Sequence, residues 1–204
     1  TSATGITIYR GNAYPEQYQG NAFVGDVGGN LVHRKTVDTQ NVVYRAERAD
    51  RNEEIIRSSD NWFRPVNFVN APDGSLYMLD MYRETIEHPY SIPEEIKAFL
   101  DLESGHDRGR IYRLVSPDMK RIQPVMPGSL HNKKLATYLN SDNAWHRMTA
   151  QRLLWERQDR SVAHVVNEIF ASSTRPQGRL HALHTLAGLD LLKVSHIRQA
   201  LQAD

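Results

Sequence analysis

Val162, Val165, Val166, Ile169 and Phe170 fall at i, i+3, i+4, i+7 and i+8, the spacing that lines apolar side chains along one helix face. Similar stripes run through Leu135, Tyr138 and Leu139, through Ala150, Leu153 and Leu154, through Leu180, Leu183 and Ala187, and through Val194, Ile197 and Leu201. The pattern predicts about five helices. Ser141-Asp142-Asn143 supplies a break and a cap, and Thr174-Arg175-Pro176 a turn with proline near a helix start. The same stretch repeats itself. Arg147 and Arg179, Met148 and Leu180, Ala150 and Ala182, and Leu154 and Leu186 match at a constant offset of 32. A fixed period of this size predicts stacked helical pairs, each too thin to bury its apolar face alone.

Before about residue 116 the grammar changes. Short β-branched and aromatic runs alternate with Gly-Asn and Asp-Gly turns, and no helical period appears. Strands are predicted at 6–9, 21–27, 31–36, 42–47, 64–69, 75–81 and 110–115. Gly28-Gly29-Asn30 and Ala71-Pro72-Asp73-Gly74 form tight turns between them. Leu76 and Met78 lie on one face of their strand, and Tyr77, Leu79 and Met81 on the other. Apolar residues on both faces predict a sheet covered on both sides, as in a propeller blade. The expected fold is therefore a β-rich propeller segment, about two antiparallel blades and incomplete, followed by all-α helical repeats. The expected domains are residues 1–116 as the blades, 117–130 as a linker and 131–204 as the repeats. Between Arg83 and Asp107 the strand pattern stops, and Pro93 to Leu100 reads as a short helix. This stretch reads equally as a functional insertion at a blade rim or as a cap over an edge strand.

Composition narrows the function classes. The 204 residues carry a net charge of +1, which gives no bulk electrostatic case for nucleic acid. There is no cysteine, which removes disulfides, thiolate metal sites, covalently attached c-type haem and a cysteine nucleophile. No apolar run is long enough to span a bilayer. The opening at Thr1 without Met, and an array that stops in mid-repeat at Asp204, suggest a segment of a longer protein.

Three stretches carry a resemblance: Gly20-Asn21-Ala22-Phe23-Val24-Gly25-Asp26-Val27-Gly28, Asp60-Asn61-Trp62-Phe63-Arg64-Pro65-Val66-Asn67, and Asp80-Met81-Tyr82-Arg83-Glu84-Thr85-Ile86-Glu87-His88-Pro89. With Arg108-Gly109-Arg110-Ile111-Tyr112-Arg113 they closely resemble the planctomycete-type membrane-bound dehydrogenases. That family joins a six-bladed propeller, similar to soluble quinoprotein glucose and sorbosone dehydrogenases, to HEAT-like repeats and often to a cytochrome c domain. The resemblance implies a parent that is an exported oxidoreductase, periplasmic or membrane-associated, acting on a sugar or other alcohol. It also implies pyrroloquinoline quinone (PQQ) and calcium as cofactors, with haem c only in a domain outside this segment. The repeats would act as a spacer or would dock a cytochrome c domain or protein partner. The alternative is a non-enzymatic propeller with helical repeats that binds glycans or proteins.

The resemblance assigns no catalytic residue to this segment, since the family's catalytic histidine belongs to an earlier blade. The lysine that pairs with the quinone would fall at Gly28, and a second arginine at Trp62. Arg64 and Asn67 are the cofactor-binding candidates. For Arg64 the structural alternative is an ion pair with Asp60 or Asp80. Asp80, Tyr82, Arg83, Glu84 and His88 are candidates for a substrate-facing rim. Glu84 and His88 would share a face if that stretch were helical, and could then hold part of a divalent-metal site; a structural ion-pair network is the competing reading. Asp26, Gly28, Gly29 and Asn30 offer oxygens to calcium or simply make a turn. His33 reads as a strand-face residue. Arg147 and Arg179 are expected to pair with acids of neighbouring repeats, His131, His146, His164, His181, His184 and His196 to be solvated or packing residues, and Trp145 and Trp155 to be core or inter-repeat contacts. The segment by itself is expected to expose sheet edges and to be catalytically inert.

Overall fold

The computed structural model describes residues 2–39, 42–119 and 122–202. Thr1–Ala71 with Ser75–Lys120 form one compact unit, and Pro72–Gly74 with Arg121–Asp204 form a second. Residues 1, 40, 41, 120, 121, 203 and 204, including parts of the expected linker and the end of the repeat array, lie outside the description.

The first unit is built from antiparallel sheets. Strands β1 (Ala3–Ile8), β2 (Ala22–Asp26), β3 (Leu31–Asp38) and β4 (Arg45–Arg48) follow one another across one sheet, and β5 (Ile56–Arg57) also pairs with β3. Strands β6 (Pro65–Asn70), β7 (Leu76–Asp80) and β8 (Arg110–Arg113) form a second sheet in that order. The hairpin at 26–31 forms as its glycines suggest. Asp26 Oδ1 accepts the N–H groups of Gly28 at 3.1 Å and Gly29 at 2.8 Å, and Asn30 takes a positive φ of 54°.

The two sheets approach closely through small residues. A Cβ on Gly5 would lie 2.6 Å from Asn67 Oδ1, and one on Gly25 would collide with the Pro65 carbonyl. Thr4 Oγ1 and Thr7 Oγ1 donate to the carbonyls of Pro65 at 2.7 Å and Phe68 at 3.0 Å. These bonds satisfy the edge of β6 that faces away from β7, so an edge that could otherwise recruit a foreign strand is covered. Phe23, Val32, Phe68, Leu76 and Met78 are buried between the sheets.

Two strand expectations need correction. Val42, Val43 and Tyr44 are strongly exposed and precede β4, because the β3 register runs out at Asp38 opposite Arg45. The second sheet is fully buried on one face only: Leu76, Met78 and Asp80 are buried, whereas Val69 and Ile111 on its strands are exposed. The insertion at 81–109 holds the expected short helix, α1 (Glu94–Lys97), which Pro93 precedes, and Phe99 beyond it stays 89% exposed.

The second unit contains α2 (Asn132–Thr137), α3 (Ala144–Arg157), α4 (Ala163–Ser172), α5 (Pro176–Gly188) and α6 (Val194–Leu201). Asn143 Oδ1 caps α3 by accepting the Trp145 N–H at 2.9 Å. Leu135, Leu139, Ala150, Leu154, Val166, Phe170, Ala182, Leu186 and Leu189 make one core. On α5 the buried face runs through Gly178, Ala182, Thr185 and Leu186, one step round the helix from the predicted Leu180 stripe. Arg147 donates to the carbonyls of Ser141 at 2.7 Å and Asp142 at 3.0 Å; ion pair Arg175–Asp142 joins the segments before α5 and α3, and Arg160–Asp190 those after α3 and α5. Trp155 is 60% exposed and lies against Gly188, so it is an inter-helix contact and not a core residue. Val194, Ile197 and Leu201 on α6 are exposed. Among the described residues no helix is long and apolar enough to cross a membrane.

Candidate functional site

A constrained turn lies where β7 ends. Asp80 is buried, and its Oδ1 accepts two N–H groups, from Arg64 at 2.8 Å and from Tyr82 at 2.9 Å. Tyr82 has a φ of 52°. A bulky residue in the left-handed region is uncommon and costs of order 1 kcal/mol, so the Asp80 bond helps to hold the turn in place. The register between β6 and β7 also slips between Pro65 and Asn67, a bulge that redirects the strand at this end.

The held turn aims the Tyr82 ring outward into a row of contacts. Its phenol donates to Asp60 Oδ2 at 3.0 Å, and its ring lies 5.6 Å from Trp62. The Arg110 guanidinium stacks over the Tyr82 ring at 3.6 Å from the centroid. Arg110 Nη1 reaches the Tyr112 hydroxyl at 3.5 Å, and Tyr112 lies edge-on to Phe63 at 6.4 Å. Gly105 closes the underside; with φ of +84° it packs so near the Tyr82 carbonyl and the Trp62 ring that a side chain would not fit. Two aromatic rings, a carboxylate and a guanidinium are thus brought together, with Asp60 and Arg110 exposed.

The predicted cofactor residues are placed differently. Arg64 is 9% exposed. Its Nε donates to the Arg83 carbonyl at 2.9 Å, Nη1 to the Val27 carbonyl at 2.6 Å and Nη2 to the Glu84 carbonyl at 2.7 Å. These bonds fasten the 26–30 hairpin to the start of the insertion. Arg64 therefore meets Asp80 through its backbone N–H, and its guanidinium goes to carbonyls. Asn67 is exposed and its Oδ1 accepts the neighbouring Phe68 N–H at 2.8 Å. Gly28, where the resemblance would place a lysine, gives its N–H to Ser2 Oγ at 2.9 Å.

These residues do not fit PQQ: the buried guanidinium is engaged by carbonyls, and no cation stands at Gly28. At the 26–30 turn three donors converge on Asp26 Oδ1, Ser2 Oγ at 2.5 Å beside the two glycine N–H groups, which is turn chemistry. The Ser2 bond, then the backbone bonds, holds this carboxyl below its ordinary range.

The rim candidates divide. Asp80 and Tyr82 belong to the cluster. Arg83 Nη1 donates to the Glu103 carbonyl at 3.1 Å and braces the insertion, and Glu84 is exposed. His88 turns away to cap the short turn Pro89–Ser91, stacking on Tyr90 at 5.4 Å. The stretch 81–88 is not helical, so Glu84 and His88 do not share a face. His33 joins an ionic group: Nδ1 lies 2.7 Å from Glu54 Oε2, Nε2 lies 4.0 Å from Asp26 Oδ2, and Arg48 also bonds Glu54. Trp62 and Arg110 were not foreseen as site residues. Arg110 pairs with Asp80 across β7 and β8, and some 30 residues of insertion hide that register from the sequence.

Residues 1–118 match the family profile of a domain of unknown function, DUF7133. The chain belongs to the DUF7133 family. The DUF7133 match contains the whole row from Asp60 to Tyr112 and ends before the helical unit. Neither the curated proteins nor the solved structures contain a significant match to the chain.

Proposed function

We propose that the DUF7133 part of this chain binds a sugar or related polyhydroxyl compound on the Trp62–Tyr82 face, within a larger exported propeller protein whose helical, HEAT-like repeats serve as spacer or docking surface. The observation that carries this reading is the Tyr82 phenol held between Asp60 and Arg110 beside the Trp62 ring. Aromatic faces suit the C–H faces of a sugar ring, and a carboxylate and guanidinium at their border suit its hydroxyls. The protein contributes binding and orientation, and redox chemistry is not assigned to these residues. On this reading Arg64 is a structural residue whose guanidinium braces loop carbonyls.

The second reading is an oxidoreductase of the quinoprotein type, favoured by the sequence motifs at 20–28, 60–67 and 80–89. In that case the base and the cofactor cations come from elsewhere in the protein. Titration with D-glucose and its short oligomers, followed by the Trp62 indole N–H in NMR, tests the first reading. A saturable shift that weakens in Tyr82→Phe is expected. A Trp62 signal that does not move with any sugar would sink it. A parallel titration with PQQ and calcium tests the second reading, which requires saturable quinone absorbance changes.

A further inference from the structure

Within the sheet unit a cavity of about 600 Å³ opens between Phe23, Phe63, Met78 and Tyr112, with Ile56 and Val115 at its sides. Its volume is that of a small-molecule site. The wall is rigid, because the Tyr14 hydroxyl that helps to line it is committed twice, accepting the Leu76 N–H at 2.8 Å and donating to the Leu114 carbonyl at 2.7 Å. Tyr14 stacks on buried Tyr9 at 4.6 Å and meets Tyr18 edge-on at 5.9 Å. The cavity is open to solvent, and an apolar cleft of this size lined by rings is the kind of concave surface that small molecules occupy.

We propose that this cavity is a binding site for an uncharged, flat, ring-bearing apolar molecule. The shape and the aromatic lining select rings. The charge follows from the wall. Among the described residues no carboxylate lines the cavity, and the cation Arg113 on it opposes a positively charged guest. Arg113 is itself exposed, so a strongly anionic guest would still leave its hydration shell for a surface of phenyl, phenol and aliphatic groups, which is costly. Ser58 and Ser116 at the border can receive a single polar substituent. The cavity shares Phe63 and Tyr112 with the aromatic row, but its proposal does not rest on the sugar-binding reading.

The test is fluorescence titration of the 204-residue chain with N-phenyl-1-naphthylamine, an uncharged apolar probe. Saturable binding at one site per chain is expected, weakened at least tenfold by Ser58→Phe and by Ile56→Trp, which fill the cavity. Intermolecular NOEs from the probe to the Met78 methyl locate it without any substitution. Binding that never saturates, or that is unchanged in both variants, overturns the proposal, as does the absence of the Met78 NOE. Equal affinity for the sulfonated analogue 1-anilinonaphthalene-8-sulfonate overturns its charge assignment.

Discussion

Asp80 holds Arg64 by the main chain: the carboxylate accepts the Arg64 N–H at 2.8 Å while the guanidinium reaches past it to the carbonyls of Val27, Arg83 and Glu84. One buried cation thus serves as a cross-brace for two loops. Arg64→Ala would orphan three carbonyls, one of them wholly inside the unit. The expected loss is about 3 kcal/mol, because leaving buried polar groups unpaired costs roughly 1–3 kcal/mol each and some recover water. Urea denaturation of the variant checks this. Unchanged stability with weakened quinone affinity would instead make Arg64 a ligand residue.

Tyr82 concentrates strain and contact in one residue. Tyr82→Phe keeps the ring over which Arg110 stacks and removes the bond to exposed Asp60, so stability should change by less than about 1 kcal/mol. Tyr82→Gly relieves the positive φ but abandons both ring contacts. Under the binding reading both variants lose sugar affinity, and Tyr82→Gly loses more. Calorimetric melting beside the sugar titration separates the two effects; affinity that survives Tyr82→Gly would remove Tyr82 from the site.

The offset of 32 has physical content in the helical unit. Leu154 and Leu186 are 1% and 0% exposed, whereas Met148 and Leu180, also matched at that offset, are 50% and 54% exposed. Equivalent sequence positions therefore meet equivalent surroundings. Leu154→Ala and Leu186→Ala should each cost about 3 kcal/mol through lost burial and the cavity left behind. Met148→Lys and Leu180→Lys should stay within about 0.5 kcal/mol. Chemical denaturation of the four variants measures the split, and comparable losses in all four would deny the repeat.

The helices and the hairpin at 26–31 were legible because both signals are local: a period of apolar residues, and glycines with asparagine in a turn. The error on α5 has a local cause too. Leu180 fits an apolar stripe, but Gly178 is needed where the helix meets Asn140, so the buried face follows the small residues instead. The candidate site was only half legible. Asp80 and Tyr82 stand out as ionisable and aromatic residues at a strand end. Asp60, Trp62 and Arg110 reach them through the β6–β7–β8 pairing, and no local pattern reports a register set across an insertion. Arg64 misleads because a guanidinium suits three carbonyls as readily as one carboxylate.

His146 makes the stability of the helical unit depend on pH. The residue is 5% exposed, lies edge-on to Tyr138 at 5.4 Å and to Trp145 at 5.6 Å, and burial pushes its imidazole below the ordinary range. The folded state keeps it neutral, while in the unfolded chain it takes up a proton as pH falls through about 6.5. Between that value and the lowered folded one, the unfolded state binds more protons. The contribution is therefore present in full above about pH 6.5 and is lost as pH falls through that window. His146→Gln removes this titration while leaving the other histidines in place. Urea midpoints at pH 7.5 and 5.5 should differ less in the variant than in the parent chain. An identical difference in the two proteins would show that His146 does not set the acid sensitivity of this unit.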